Sequence, residues 1–246
     1  MASYGEQVLV RGLGFLAEKQ AAIANNLANV DTTSFKRRLA IAQEQPSTFQ
    51  SMLDEQLPTL GYAEQSDMSR GTTRETGNRF DVAIDGPYWL RAQHANGTNF
   101  YTRNGQLQID STGKLVTRDG LALLDQNGGQ IQIGAGDELP RELVISPNGT
   151  ITDPSSGRNW GPLALVSIPR PEALQPVGKG MFVDPDNQRT TQAGDGLQQG
   201  FLEGSNVDSL QELVQMIAVE RSFSATQKAL SGVGRLQENL IANILR

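Results

Sequence analysis

Two heptad-spaced apolar stripes stand at opposite ends of this chain, and any fold it adopts must bury both. The first runs Leu9, Leu13, Leu16, Gln20, Ile23, Leu27 and Val30. The second runs Met216, Val219, Phe223, Thr226, Leu230, Val233, Gln237, Leu240 and Ile244. In each stripe the steps alternate between three and four residues, the spacing of a coiled-coil seam. An isolated helix is marginal in water, because its first turn fixes many dihedrals for one hydrogen bond. The simplest arrangement therefore packs the two termini against each other. That pair either completes a monomeric core or bundles with copies of itself. A head-to-tail contact between copies would give a ring or an open helical filament.

Local signals agree with two helices. Ala17, Ala21, Ala22, Ala24 and Ala28 favour helix and allow close approach. Asn29, Asp31, Thr32, Thr33 and Ser34 supply a helix-ending turn. Asn206 or Asp208 stands where the second helix needs a cap. Gly232 and Gly234 weaken that helix by about 1 kcal/mol each relative to alanine.

The middle of the chain changes character. Short alternating runs predict strands at 80–84, 88–93, 99–102, 106–110, 114–117, 122–124, 130–133, 142–145, 150–152 and 163–168. Between them stand turn pairs such as Asn96-Gly97, Asn104-Gly105, Thr112-Gly113 and Asn148-Gly149. Frequent short strands point to an all-β sandwich or barrel-like domain. The expected architecture is α+β: a coiled-coil-like core domain of paired N- and C-terminal helices, with a central all-β domain. Its parts are a first helix with its turn (1–37), an extended connector (38–75), a β-rich outer domain (76–200) and a second helix (201–246).

Catalytic chemistry finds little support. His94 is the only histidine and there is no cysteine, so neither a Ser-His-Asp triad nor a Cys- or His-based metal site has partners. Gly12-Leu13-Gly14 touches a dinucleotide fingerprint, but it lies within the helical stripe with no β-α-β unit around it. Asp184-Pro185-Asp186-Asn187 lacks the spacing of a calcium loop and reads as a turn. A net charge of -6 repels phosphate backbones, which argues against nucleic acid as a partner. No apolar stretch spans a bilayer, and the N-terminus lacks the pattern of a cleaved signal peptide. The residues alone leave a β-rich adhesin or phage-tail-like protein as the rival to a self-assembling axial protein.

The first helix ends in Asn25-Asn26-Leu27-Ala28-Asn29-Val30-Asp31-Thr32-Thr33-Ser34-Phe35-Lys36. This closely resembles the signature of the bacterial flagellar rod and hook family, with Ser34 where the family usually carries glycine. Further matches follow in order. They are Thr76 to Gly86, Tyr101-Thr102-Arg103-Asn104-Gly105, Gly113 to Thr117, Asp119-Gly120, Gly200 to Val207, Leu213 to Ile217, Arg221 to Phe223 and Lys228-Ala229. After Gly86 the family commonly has another glycine, and here Pro87-Tyr88-Trp89 stands instead.

The resemblance implies a structural, non-enzymatic subunit of the rod that crosses the periplasm, needing no cofactor or metal. It implies copies of the chain and other rod proteins as partners. It also implies delivery by the flagellar type III export apparatus without signal cleavage or membrane insertion. The paired helices would form the inner tube around the export channel, with the β domain outside. The implied assembly core is Leu9, Leu13, Leu16, Ile23, Leu27, Val30, Met216, Val219, Phe223, Leu230, Val233, Leu240 and Ile244. The implied turn residues are Asn25, Asn26, Asn29 and Phe35. Within the family, the short chain and Leu202 to Asn206 favour proximal rod members, while Leu213 to Ile217 is similar to distal ones.

Overall fold

The computed structural model describes residues 4–44, 60–94, 96–134, 140 and 142–244, apart from the side chains at 4, 43, 44, 60, 61, 237, 238, 240, 241, 243 and 244. Residues 45–59 of the expected connector thus lie outside the described residues. Leu240 and Ile244 are described by backbone only, as part of a helix.

The chain divides into two compact units. One contains Met1–Val30, Arg37–Asp67 and Val207–Arg246, and the other contains Asp31–Lys36 and Met68–Asn206. The first unit holds helix α1 (Tyr4–Ala28), strands β1 (Arg38–Glu44) and β2 (Leu60–Ser66), and helix α2 (Ser209–Ile244). Within it, α1 packs along α2, and the β1–β2 pair lies against α1. The expected connector contains two strands where it is described. Its two ends pair as an antiparallel hairpin in register from Arg38↔Ser66 to Glu44↔Leu60. Asp208 caps α2: its carboxylate accepts the N–H groups of Leu210 at 2.9 Å and Gln211 at 3.1 Å.

The second unit is built from short strands: β3 (Thr73–Glu75), β4 (Val82–Ile84), β5 (Tyr88–Gln93), β6 (Asn99–Thr102), β7 (Leu107–Ile109), β8 (Leu115–Thr117), β9 (Ala122–Leu123), β10 (Val144–Ile145), β11 (Thr150–Thr152), β12 (Asn159–Pro162), β13 (Leu165–Ser167), β14 (Gln175–Gly178), β15 (Met181–Val183), β16 (Thr191–Gln192), β17 (Leu197–Gln199) and β18 (Phe201–Glu203). Among the described residues the largest sheet runs β14-β15-β6-β5-β9-β8-β7, with β13 bridging β5 and β16. Strand β5 organises it and is buried on both faces. Leu90 and Ala92 enter one apolar cluster with Val82, Leu115, Leu123, Ile151 and Leu165, while Trp89 points into another with Tyr101, Val166 and Phe182.

Most expected strands appear with shortened ends. The segment 130–133 differs. Gln130 bridges Leu124 and Gln132 bridges Lys114, so single contacts to two different neighbours replace a continuous ladder, although Ile131 and Ile133 are buried. Gly105 allows a close approach that no other residue permits, since a Cβ there would overlap the Val82 carbonyl.

Candidate functional site

In the first unit Ile23 (3% exposed) and Val219 (4% exposed) are the described seam residues that are buried. Leu9, Leu13, Leu16, Leu27, Val30, Met216, Phe223, Leu230 and Val233 are only half-buried. The single chain therefore leaves much of both seams partly uncovered.

Sequence periodicity missed a second apolar stripe on α2. Leu210 (71% exposed), Leu213, Val214 and Ile217 are all exposed. At 3.6 residues per turn they cluster around one direction, roughly 180° from Val219. Helix α2 is thus apolar on two opposite faces, and only one of them meets α1. The repeat at i, i+3, i+4 and i+7 was present in the sequence, but the longer seam masked it.

The Asn-rich end of α1 forms a joint. Asn26 is fully buried. Its side chain pairs with the backbone of Arg38 as a neighbouring strand would, accepting from the N–H at 2.8 Å and donating to the carbonyl at 2.9 Å. The same amide donates to Glu212 on α2 at 3.2 Å. Glu212, also fully buried, accepts from Arg37 Nε at 2.5 Å. One asparagine thereby ties α1, the start of β1 and the first turn of α2. Asn29 donates to the Asn25 carbonyl at 2.8 Å and continues the helix-ending turn. Asn25 itself has a buried Oδ1 with no hydrogen-bond partner among the described residues.

Against α1, the hairpin is seated by Tyr62, whose hydroxyl donates to the Arg11 carbonyl at 2.8 Å and whose ring stacks on Phe15 at 5.9 Å. Gly14 makes room for it, since a Cβ there would stand 2.6 Å from the Tyr62 hydroxyl. Packing of the hairpin therefore accounts for Gly14 without a nucleotide. A cavity of about 410 Å³ remains between helix and hairpin, lined by Glu18, Ala21, Ala22, Asn25, Arg38, Ala40, Tyr62, Ala63 and Glu64.

The rest of the motif, Asp31–Lys36, belongs to the second unit. Ser34 has φ 55°, the left-handed region that glycine adopts most easily. Serine is held there because its hydroxyl donates to the Arg103 carbonyl at 2.8 Å and its N–H donates to the Glu203 carbonyl at 2.9 Å. Ser34→Gly should therefore change stability by less than about 1 kcal/mol, as relief of strain offsets the lost hydroxyl bond. Ser34→Val loses the bond and keeps the strain, and should cost about 2–3 kcal/mol in urea unfolding.

Phe35 is buried, and its carbonyl accepts the Asn206 N–H at 3.3 Å. Next to it lies an ionic knot. Glu203 Oε1 accepts from Lys36 at 2.7 Å and from the Gly71 N–H at 3.1 Å, while Oε2 accepts from Arg103 at 2.7 and 2.8 Å. The remaining Arg103 donors reach the carbonyls of Ile84, Gly86 and Tyr88, and Lys36 also reaches the Ser69 carbonyl. All three charged side chains are almost wholly enclosed. Burial pushes the Glu203 carboxyl up, but attraction to Arg103 and Lys36 and their hydrogen bonds outweigh it and hold the group below the usual glutamate range. Each of the three residues lies in a separate family motif, but sequence gave no sign that they converge.

His94 is exposed in the β5–β6 turn, where its Nδ1 accepts the Asn96 N–H at 3.3 Å. The Asp184 carboxylate is taken up by the N–H groups of Asp186 and Gln188, as a turn requires. Among the described residues, no group of three histidine, cysteine or acidic side chains is placed to hold a metal, and no helix is long and apolar enough to cross a membrane.

Three family profiles match in chain order. Residues 7–36 match the Flagella basal body rod protein family, residues 83–153 the Flagellar hook protein FlgE/F/G D1 domain, and residues 198–243 the Flagellar basal body rod FlgEFG protein C-terminal family. The chain is 33% identical over 228 residues to flagellar basal-body rod protein FlgF of Escherichia coli, covering 87% of this chain and 88% of the relative. It is 28% identical over 263 residues to flagellar basal-body rod protein FlgG of Bacillus subtilis, covering 94% and 96%. Flagellar basal-body rod protein FlgF of Salmonella typhimurium is 29% identical over 238 residues, covering 87% and 88%.

Proposed function

Since the chain belongs to the flagellar basal-body rod protein family, we propose that it occupies the proximal part of the rod and assembles there through its paired terminal helices. It is a structural subunit of the basal-body rod and works alongside other rod proteins. In this proposal it has no catalytic activity and needs no cofactor. The flagellar type III export apparatus delivers it without signal cleavage, and it does not insert in the membrane. The coiled-coil-like seam forms the inner wall of the tube.

The observation that carries the proposal is the incomplete cover of the seams. Ile23 and Val219 are buried in a single chain, whereas Leu13, Leu16, Leu27 and Leu230 are half-exposed. Apolar surface buried on assembly stabilises it by roughly 25 cal/mol per Å², less the cost of ordering side chains. Leu27→Asp should therefore leave the β-rich unit folded but keep the chain out of the rod. Soft-agar motility in a strain carrying only this variant should fall to that of the deletion strain, with the variant missing from purified hook–basal bodies. Normal incorporation would refute assembly through this seam. Quantitative mass spectrometry of the same preparation tests the position. A few copies per rod supports the proximal one, and a substantially larger number supports the distal one.

A further inference from the structure

Two features of the first unit have no use within one chain. The outward face of α2 is apolar over its first two turns, with Leu210, Leu213, Val214 and Ile217 exposed. Further along the same face stand Arg221 and Lys228, exposed and without an ion pair among the described residues. The groove between α1 and the hairpin has the opposite character. Glu18, Ala21, Ala22 and Asn25 recur at i, i+3, i+4 and i+7, so they share one face of α1. The alanines keep the groove floor low, which allows an incoming helix to approach closely. Glu18 is exposed and has no ion pair among the described residues. Glu64, across the groove, is exposed and paired with Arg38 at 2.9 Å, so the rim as a whole carries an excess negative charge. Asn25 lines the end of the groove.

We propose that the outward face of α2 in one copy seats in the groove between α1 and the hairpin of the next copy, with Arg221 reaching Glu18. This rests on the rod-subunit function above and adds a second contact between copies to the one made by the seams. The apolar ridge faces the alanines of the groove floor, and Arg221 is opposite in sign to Glu18. The two surfaces are different patches of the molecule, so the contact is heterologous and propagates instead of closing as a symmetric dimer.

The chain has no cysteine, so single cysteines report contacts without background. In cells that lack the native gene, chains carrying Ala22→Cys and Ile217→Cys are co-expressed and the rods oxidised. The expected product is a covalent dimer that joins the two different variants. A chain carrying both substitutions should give a ladder of dimers, trimers and higher species. Four results would overturn the proposal: dimers from Ile217→Cys alone, which mean a symmetric contact; a product of another mass, which means a different rod protein fills the groove; wild-type chain present in the rods but no cross-link between these positions; or cross-links confined within one chain. Wild-type chain absent from the rods would overturn the rod function too, which separates that failure from the others. Charge reversal adds a second reading. Glu18→Arg and Arg221→Glu should each reduce incorporation at least tenfold, and the doubly reversed chain should recover it.

Discussion

Glu203→Gln is expected to destabilise the β-rich unit by about 3–5 kcal/mol, because it leaves two enclosed cations facing a neutral amide. Both tryptophans, Trp89 and Trp160, lie in that unit, so urea unfolding followed by tryptophan fluorescence isolates it. Lys36→Met should cost less, since the Arg103–Glu203 pair survives. A loss below about 1 kcal/mol for the glutamine variant would show that the knot does not hold the unit together. The pH dependence has a definite sign. The Glu203 carboxyl is lowered in the folded chain, so the stability it contributes is fully present above the unfolded glutamate value of about 4.3. That stability is lost as pH falls through the lower folded value. The glutamine variant should lack this part of the acid response.

Asn26→Asp changes a single group, yet it should cost about 3 kcal/mol in the helical unit. The carboxylate can no longer donate to the Arg38 carbonyl, and it faces Glu212 where a donor stood at 3.2 Å. Two buried like charges then share one site. Hydrogen exchange should rise in peptides covering the end of α1, the start of β1 and the first turns of α2, while the tryptophan transition stays where it was. Unchanged exchange at all three elements would mean that Asn26 is not their common tie.

The sequence revealed what is periodic and local. Heptad spacing located both helices, and alternation with Asn-Gly turns located most strands of the β-rich unit, including β5, β6 and β11 to the residue. The β1–β2 hairpin stayed hidden because its strands are separated by residues 45–59, and because Arg38, Gln43 and Glu44 dilute any alternation. Strands β14 to β18 hold much of their meaning in distant partners, such as Phe182 beside Tyr101 and Leu197 beside Ile84. The joint and the knot were visible only as motif residues. Asn26 and Glu212 are 186 positions apart, and Lys36 and Glu203 are 167 apart. No local pattern encodes such contacts, because their energy comes from groups brought together by folding.

The chain passes between its two units four times, after Val30, Lys36, Asp67 and Asn206. Each unit therefore closes only when a segment beyond residue 200 reaches one before residue 37. Helix α1 packs along α2, which follows the whole β-rich unit in the chain. The β-rich unit likewise holds Lys36 in readiness for Glu203. Closing these long loops is slow compared with forming local turns. The order of the chain thus acts as a timer, leaving the seam unfinished until α2 has folded back onto α1.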